Sequence, residues 1–167
     1  IADAFDIIIV DTGAGISQNV INFIRSSNEI IVVTTPEPSA VTDAYALIKI
    51  AYKYCDNIHI VVNKTENYKE AKYTMEKLLK VAKKFLNIKI NYLGFILEDK
   101  LIYKSNMAQI PFSVKYPNGL GAKCLTNISK RLIYGKQGSA ETNLTVDSWF
   151  IKLMSFIKTN VGGHIIE

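Results

Sequence analysis

Apolar residues fall into four short runs along the chain, and between them apolar positions recur at three and four. The runs are 7–10, 30–34, 58–62 and 90–97, rich in Ile and Val and mostly without alternation. Such runs, bounded by turn residues, predict strands covered on both faces, as in a parallel sheet. Between them the helical period predicts a short helix after Ser17, with Val20, Phe23 and Ile24 inward. A second helix is predicted over 39–54, capped by Ser39 or Thr42, and a long one over 68–86. In the long one Ala71, Met75, Leu78, Leu79, Ala82, Phe85 and Leu86 form the apolar stripe, and the lysines form a solvated face. A short helix to Ala108, an extended crossing at Pro111, Tyr116 and Pro117, and a helix over 121–134 complete the pattern. Regular alternation of strand and helix predicts an α/β fold, doubly wound on a mainly parallel sheet.

The first run carries the candidate chemistry. It ends in Asp11, and Gly13 and Gly15 follow within four positions. In open α/β sheets ligands gather beyond the carboxyl ends of the strands. A carboxylate at that place, beside glycines whose N–H groups a bulky anion can approach, suits Mg²⁺ held between acid, phosphate and water. Two blander readings stand beside it: Asp11 and the glycines only form a turn and cap, or Asp11 is the phospho-accepting acid of a receiver-like domain. The receiver reading needs an acidic pair at an earlier strand tip, and Asp3 is too close to Asp11 to supply one.

The second and third runs also end in polar groups, Thr34-Thr-Pro-Glu-Pro38 and Asn63-Lys-Thr-Glu66. The Asn63 amide offers a donor and an acceptor side by side, which matches adenine N6 and N7 but also suits a turn. Asn63-Lys-Thr-Glu66 is also similar to the Asn-Lys-x-Asp guanine motif of GTPases, with Glu in place of Asp, so GTP is the second nucleotide. His59, with no second ligand spaced to join it, reads as a packed or edge histidine. Asp99 reads as the N-cap of the short helix.

Asp11-Thr-Gly-Ala-Gly-Ile-Ser17, with 29–38 and 42–49, resembles the MinD/ParA group of deviant Walker A ATPases, and within it the flagellar-number regulators of the FlhG (FleN/YlxH) type. The resemblance runs to about Tyr134. It implies a P-loop NTPase fold in which Asp11 is the Walker B acid holding Mg²⁺ through water. It further implies that Gly13, Ala14 and Gly15 are the switch loop, that Asn63, Lys64 and Asp99 lie on the nucleotide base, and that Glu37 and Asp43 lie on a dimer surface. The implied cofactors are ATP and Mg²⁺, and the implied behaviour is a homodimer formed on ATP binding. The flagellar GTPase FlhF and flagellar switch proteins are implied partners. The implied roles are control of flagellar number or placement, or of the division site.

One departure is large. No Lys-Gly-Gly-x-Gly-Lys loop, nor any Gly-x-x-x-x-Gly-Lys pattern, occurs in these residues. The chain is therefore expected to correspond to the C-terminal part of the domain, lacking the first strand and phosphate loop. It is not expected to hydrolyse ATP alone, and a non-catalytic binding or regulatory module is the alternative. The strand order should be 30–34, 58–62, 90–97, all parallel, with 5–10 either closing against 30–34 or completed from another chain.

Composition trims the alternatives. Hydrophobic residues at 49% and charges at 21% exclude a disordered or fibrous chain. The net charge of +5 is spread over helix surfaces, which disfavours nucleic acid as a partner. Cys55 and Cys124 have neither pairing nor metal spacing, as suits the cytoplasm. After a linker over 136–145, residues 146–160 are expected to form an amphipathic C-terminal helix, followed by a tail at 161–167. Trp149, Phe150, Leu153, Met154 and Ile157, with Val146, give that helix an apolar stripe. It is expected either to dock on the core or to lie on the inner face of the cell membrane as a reversible anchor.

Overall fold

The computed structural model describes residues 5–135. Three parallel strands form the sheet, β1 (Ile30–Thr34), β2 (Ile58–Thr65) and β3 (Asn91–Leu97), in that order. The helices are α1 (Gln18–Ser26), α2 (Pro38–Ala51), α3 (Tyr68–Leu86), α4 (Lys100–Met107), α5 (Phe112–Lys115) and α6 (Leu120–Tyr134). The compact unit runs to Leu132, and the residues from Ile133 onward group separately. The expected linker and the helix over 146–160 lie outside the described residues, as do the membrane-facing positions Trp149 to Ile157.

β1 alternates buried and exposed positions, whereas β2 and β3 carry consecutive buried residues at their centres. Ile30, Val32 and Thr34 face one side, continued across the sheet by Ile58, Ile60 and Val62, and α2 and α3 pack there. Phe95 closes that layer, its ring 6.0 Å from the Tyr68 ring of α3. On the opposite side α6 covers the β2–β3 half, where Val61 and Leu93 meet Ile128 and Leu132. Gly94 permits that approach: a Cβ on it would sit 2.9 Å from Ile128 Cγ1.

The β2–β3 ladder slips twice and then recovers. Ile60 pairs with Tyr92 but Val61 with Gly94, so Leu93 is an extra residue in β3. Val62 pairs with Phe95 but Thr65 with Leu97, so β2 in turn carries one extra residue at 63–64. The second bulge cancels the first. Each one sits beside an unusual backbone conformation, Gly94 at φ +151° and Lys64 at φ +53°.

Several expectations need correction. Residues 5–10 do not form a buried strand: Phe5 and Ile7 to Val10 are exposed, Ile9 to 84%, and no strand pairs with them among the described residues. Closure against β1 therefore does not occur in this chain. The physical reason is that an apolar run becomes a strand only when neighbouring backbone takes up its N–H and C=O groups. Phe23 and Phe85 are exposed as well. Phe85 lies in the last turn of α3, and the Lys84 ammonium rests over its ring instead of a core. The expected extended crossing contains the single turn α5, and β2 continues past Val62 to Thr65.

Helix starts follow local chemistry. Ser17 caps α1, as expected, and Asn67 caps α3. Asn67 Oδ1 accepts from the Glu70 N–H at 3.1 Å, and the Glu70 carboxylate accepts from the Glu66 N–H, one residue before the cap, at 2.8 Å. Neither Ser39 nor Thr42 caps α2. That helix starts one residue earlier on Pro38, whose fixed φ suits the first helical position, and Thr42 Oγ donates to the Pro38 carbonyl.

Candidate nucleotide cleft at the strand tips

The carboxyl ends of the three strands surround an open cleft of about 250 Å³. Its walls are Thr35, Pro36 and Glu37 after β1, Lys64 and Glu66 at the end of β2, Glu70 of α3, and Glu98 after β3. Two prolines after β1 stop the ladder and turn the chain into α2. The extra residue in β2 has a matching effect: it places Lys64 in the left-handed region, on the cleft. Thr65 fixes this tip from below, its hydroxyl donating to the Ile96 carbonyl and its carbonyl accepting from Glu98 N–H at 2.8 Å.

Of the residues singled out from sequence, Glu37 and Lys64 line the cleft. Asn63 precedes Lys64 but is not among the lining residues; its Oδ1 accepts from the Lys64 N–H at 2.9 Å. Asp11, Gly13, Ala14 and Gly15 are exposed and are not among the lining residues. Gly15 adopts φ +91°, and no atom lies within 4 Å of a Cβ built on either glycine, so the loop is open to an approaching group. Asp43 is exposed and lies beyond the first turn of α2, where the helix dipole has little hold on it. Glu66, the acid of the guanine-like motif, lines the cleft too; Thr35 and Glu98, just after predicted strand tips, and Glu70, in the first turn of α3, were not singled out.

Asp99 is engaged elsewhere. Its carboxylate accepts from Leu101 N–H at 2.8 Å, capping α4, and from Gly121 N–H at 3.4 Å at the start of α6. Asp99→Ala is therefore expected to lower stability by about 1–2 kcal/mol, the usual effect of a lost cap. The urea midpoint measures this. A full-stability Asp99→Ala chain would show the tie to be idle.

Four carboxylates and one ammonium line the cleft, so phosphate is a poor occupant of this end. An amino-bearing ring, with acceptors near its NH₂ group and an alkyl stem laid against its face, is a good one. Elsewhere, His59 Nε2 lies 3.5 Å from Glu29, away from the strand tips. Burial raises the Tyr92 hydroxyl and the Cys124 thiol above their ordinary values and lowers the Arg131 guanidinium. None of these three lines the cleft.

No family model matches the chain. Curated proteins do. The flagellum site-determining protein YlxH of Helicobacter pylori is 36% identical over 134 residues, covering 80% of this chain and 46% of its own. The chain belongs to the MinD/YlxH group. The antiactivator FleN of Pseudomonas aeruginosa is 29% identical over 134 residues, 79% of this chain and 48% of its own. The chain thus spans about half the length of the MinD/YlxH relatives it matches. Among solved structures, the cell division ATPase MinD of Pyrococcus furiosus superposes with a TM-score of 0.63 at 22% identity, over 78% of this chain and 53% of that one. MinD of Pyrococcus horikoshii, complexed with Mg-ADP, superposes at 0.60 and 19% identity, over 78% and 52%. These likenesses fix the α/β fold of the MinD/YlxH chain.

Proposed function

We propose that these residues form the base-binding and switch part of a MinD/YlxH-type ATP-dependent dimerisation switch, which places flagella or the division site. The observation that carries this is the cleft itself. It lies where a parallel sheet places ligands, and its acidic walls meet the Lys64 side chain at a bulged strand tip. In this reading Asn63 and Lys64 hold adenine, and the glycine loop at 13–15 lies along the phosphates. Asp11 keeps Mg²⁺ in place through water, and the ion supplies charge neutralisation on the phosphates when bound. Glu37 and Asp43 lie on the surface facing a second subunit. Partners of the FlhF or flagellar switch type, and residues 146–158 on a membrane surface, complete the proposal. No helix among the described residues is long and apolar enough to cross a membrane.

Titrating the ¹⁵N-labelled chain with Mg-ATP and then Mg-GTP tests the reading. ATP is expected to shift the amides of residues 35–37, 63–66 and 98, with roughly millimolar affinity, about −4 kcal/mol. GTP is expected to shift them several-fold more weakly. Equal response to GTP overturns the adenine assignment, and no response at these amides overturns the cleft.

A further inference from the structure

The net charge, expected to be spread over the helix surfaces, is carried by one of them. Residues 68–89, α3 and the three that follow it, hold seven lysines against two glutamates, an excess of five. The whole chain carries +5, so basic and acidic residues balance everywhere else. Within α3 the lysines are also sorted by face. Lys69, Lys77, Lys80, Lys83 and Lys84 are exposed, and at about 100° per residue they share an arc of about 120° with Tyr73 and Glu76. Glu76 is the one acid on that arc. Ala71, Met75, Leu78 and Ala82 are buried on the other side. From Lys69 to Lys84 the row is about 22 Å long, at about 1.5 Å per residue.

This side of α3 stays open whatever is added to the sheet. The helix packs on β2 and beside α2, and its lysines stand on the side opposite that packing. A doubly wound sheet carries one layer of helices on each face, so further strands and helices beyond β1 extend the layers and leave the outside of α3 uncovered. Three kinds of anionic partner answer a basic row, and its shape selects among them. A nucleic-acid duplex is read by an element that enters a groove, but α3 is seated against its neighbours from Ala71 to Ala82. An acidic protein docks by anchoring side chains in pockets, and this row is convex, with none of its five lysines on the cleft. A bilayer with anionic headgroups needs only positive charges along one straight side. Tyr73 on the row and Phe85 at its end, with the Lys84 ammonium over the Phe85 ring, are exposed aromatics of the sort that settle among headgroups.

We propose that the outer face of α3 is a contact surface for anionic lipid. Lys77, Lys80 and Lys84 supply most of the attraction, Tyr73 and Phe85 reach the headgroup layer, and the helix lies along the plane of the bilayer. Glu70, in the first turn of α3, lines the cleft, and the helix runs back from there along the sheet. A chain resting on α3 therefore presents the cleft sideways, clear of the lipid. The contact needs no nucleotide, and it depends neither on the reading of the cleft nor on the membrane contact proposed for residues 146–158.

The test is co-sedimentation of the whole chain, without nucleotide, with vesicles of phosphatidylcholine alone or mixed with phosphatidylglycerol. The parent is compared with a chain carrying Lys77→Gln, Lys80→Gln and Lys84→Gln, and with one carrying Lys100→Gln, Lys104→Gln and Lys130→Gln. All six lysines are exposed and Gln is as good a helix former as Lys, so both variants keep the fold and lose the same charge. With the usual gain per lysine at an anionic surface, the α3 variant is expected to bind the mixed vesicles roughly 10²-fold more weakly than the parent. The other variant should stay within about threefold, since a charge more than about 10 Å from the lipid is largely screened. Equal binding to phosphatidylcholine alone, or an equal loss in the two variants, overturns the proposal. A further chain with Trp149→Ser and Leu153→Ser separates α3 from residues 146–158. The dependence on Lys77, Lys80 and Lys84 is expected to persist in it, and its disappearance overturns the assignment to α3. So does a random-sequence DNA duplex bound more tightly than the vesicles and lost with the same three lysines, which would make the partner nucleic acid.

Discussion

Phe95→Ala is expected to destabilise the chain by about 3–5 kcal/mol, enough to leave much of it unfolded at room temperature if its total stability is ordinary. Phe95 is 2% exposed, on the central face between β2 and α3, and its ring leans on Tyr68. Truncation removes both transfer free energy and contacts, and the surrounding structure relaxes only partly into the space. Phe85→Ala is the control, because its ring is 64% exposed and should change stability by no more than about 0.5 kcal/mol. Urea unfolding followed by circular dichroism separates the two. Equal losses would mean that α3 is packed differently from the description above.

On the proposed function, Asp11→Ala should remove hydrolysis from a hybrid in which the phosphate-loop half of H. pylori YlxH is joined ahead of these residues. Losing the acid that holds Mg²⁺ forfeits part of the ion's several kcal/mol of charge stabilisation. A loss of about 3–4 kcal/mol is a roughly 10²–10³-fold fall in kcat. Single-turnover phosphate release measures it. Activity within a few-fold of the parent hybrid would show that Asp11 does not serve the metal. The 167-residue chain by itself is expected to show no turnover, since no lysine-bearing phosphate loop occurs in it.

How far these features were legible in the sequence depended on where their partners lay. The strands at 30–34 and 58–62 and the long helix are specified by their own periodicity, and their packing partners lie within the same chain. Residues 5–10 carry the same signal as β1, but no neighbouring strand pairs with them here. Phe85 shares the helical stripe of Leu78 and Ala82, yet it sits a turn too far along to meet the sheet. The polar strand tips were visible as ends of apolar runs. The two bulges were not, because a one-residue slip leaves no mark on composition and is defined only against the partner strand. Lys64 therefore looked like a residue beyond the strand, whereas it is an inserted residue within it.

That inserted residue sets a rule for how this sequence can drift. Deleting one position between Val62 and Thr65 would erase the second slip and leave the first uncancelled, so Thr65 would lose its place opposite Leu97. With the side-chain period of two, whatever remained at the tip would also point to the other face. Exchanging Lys64 for asparagine or glycine would keep the path, since both tolerate a positive φ. Descendants of this gene should therefore vary in which residues stand at 63 and 64 well before they vary in how many stand there.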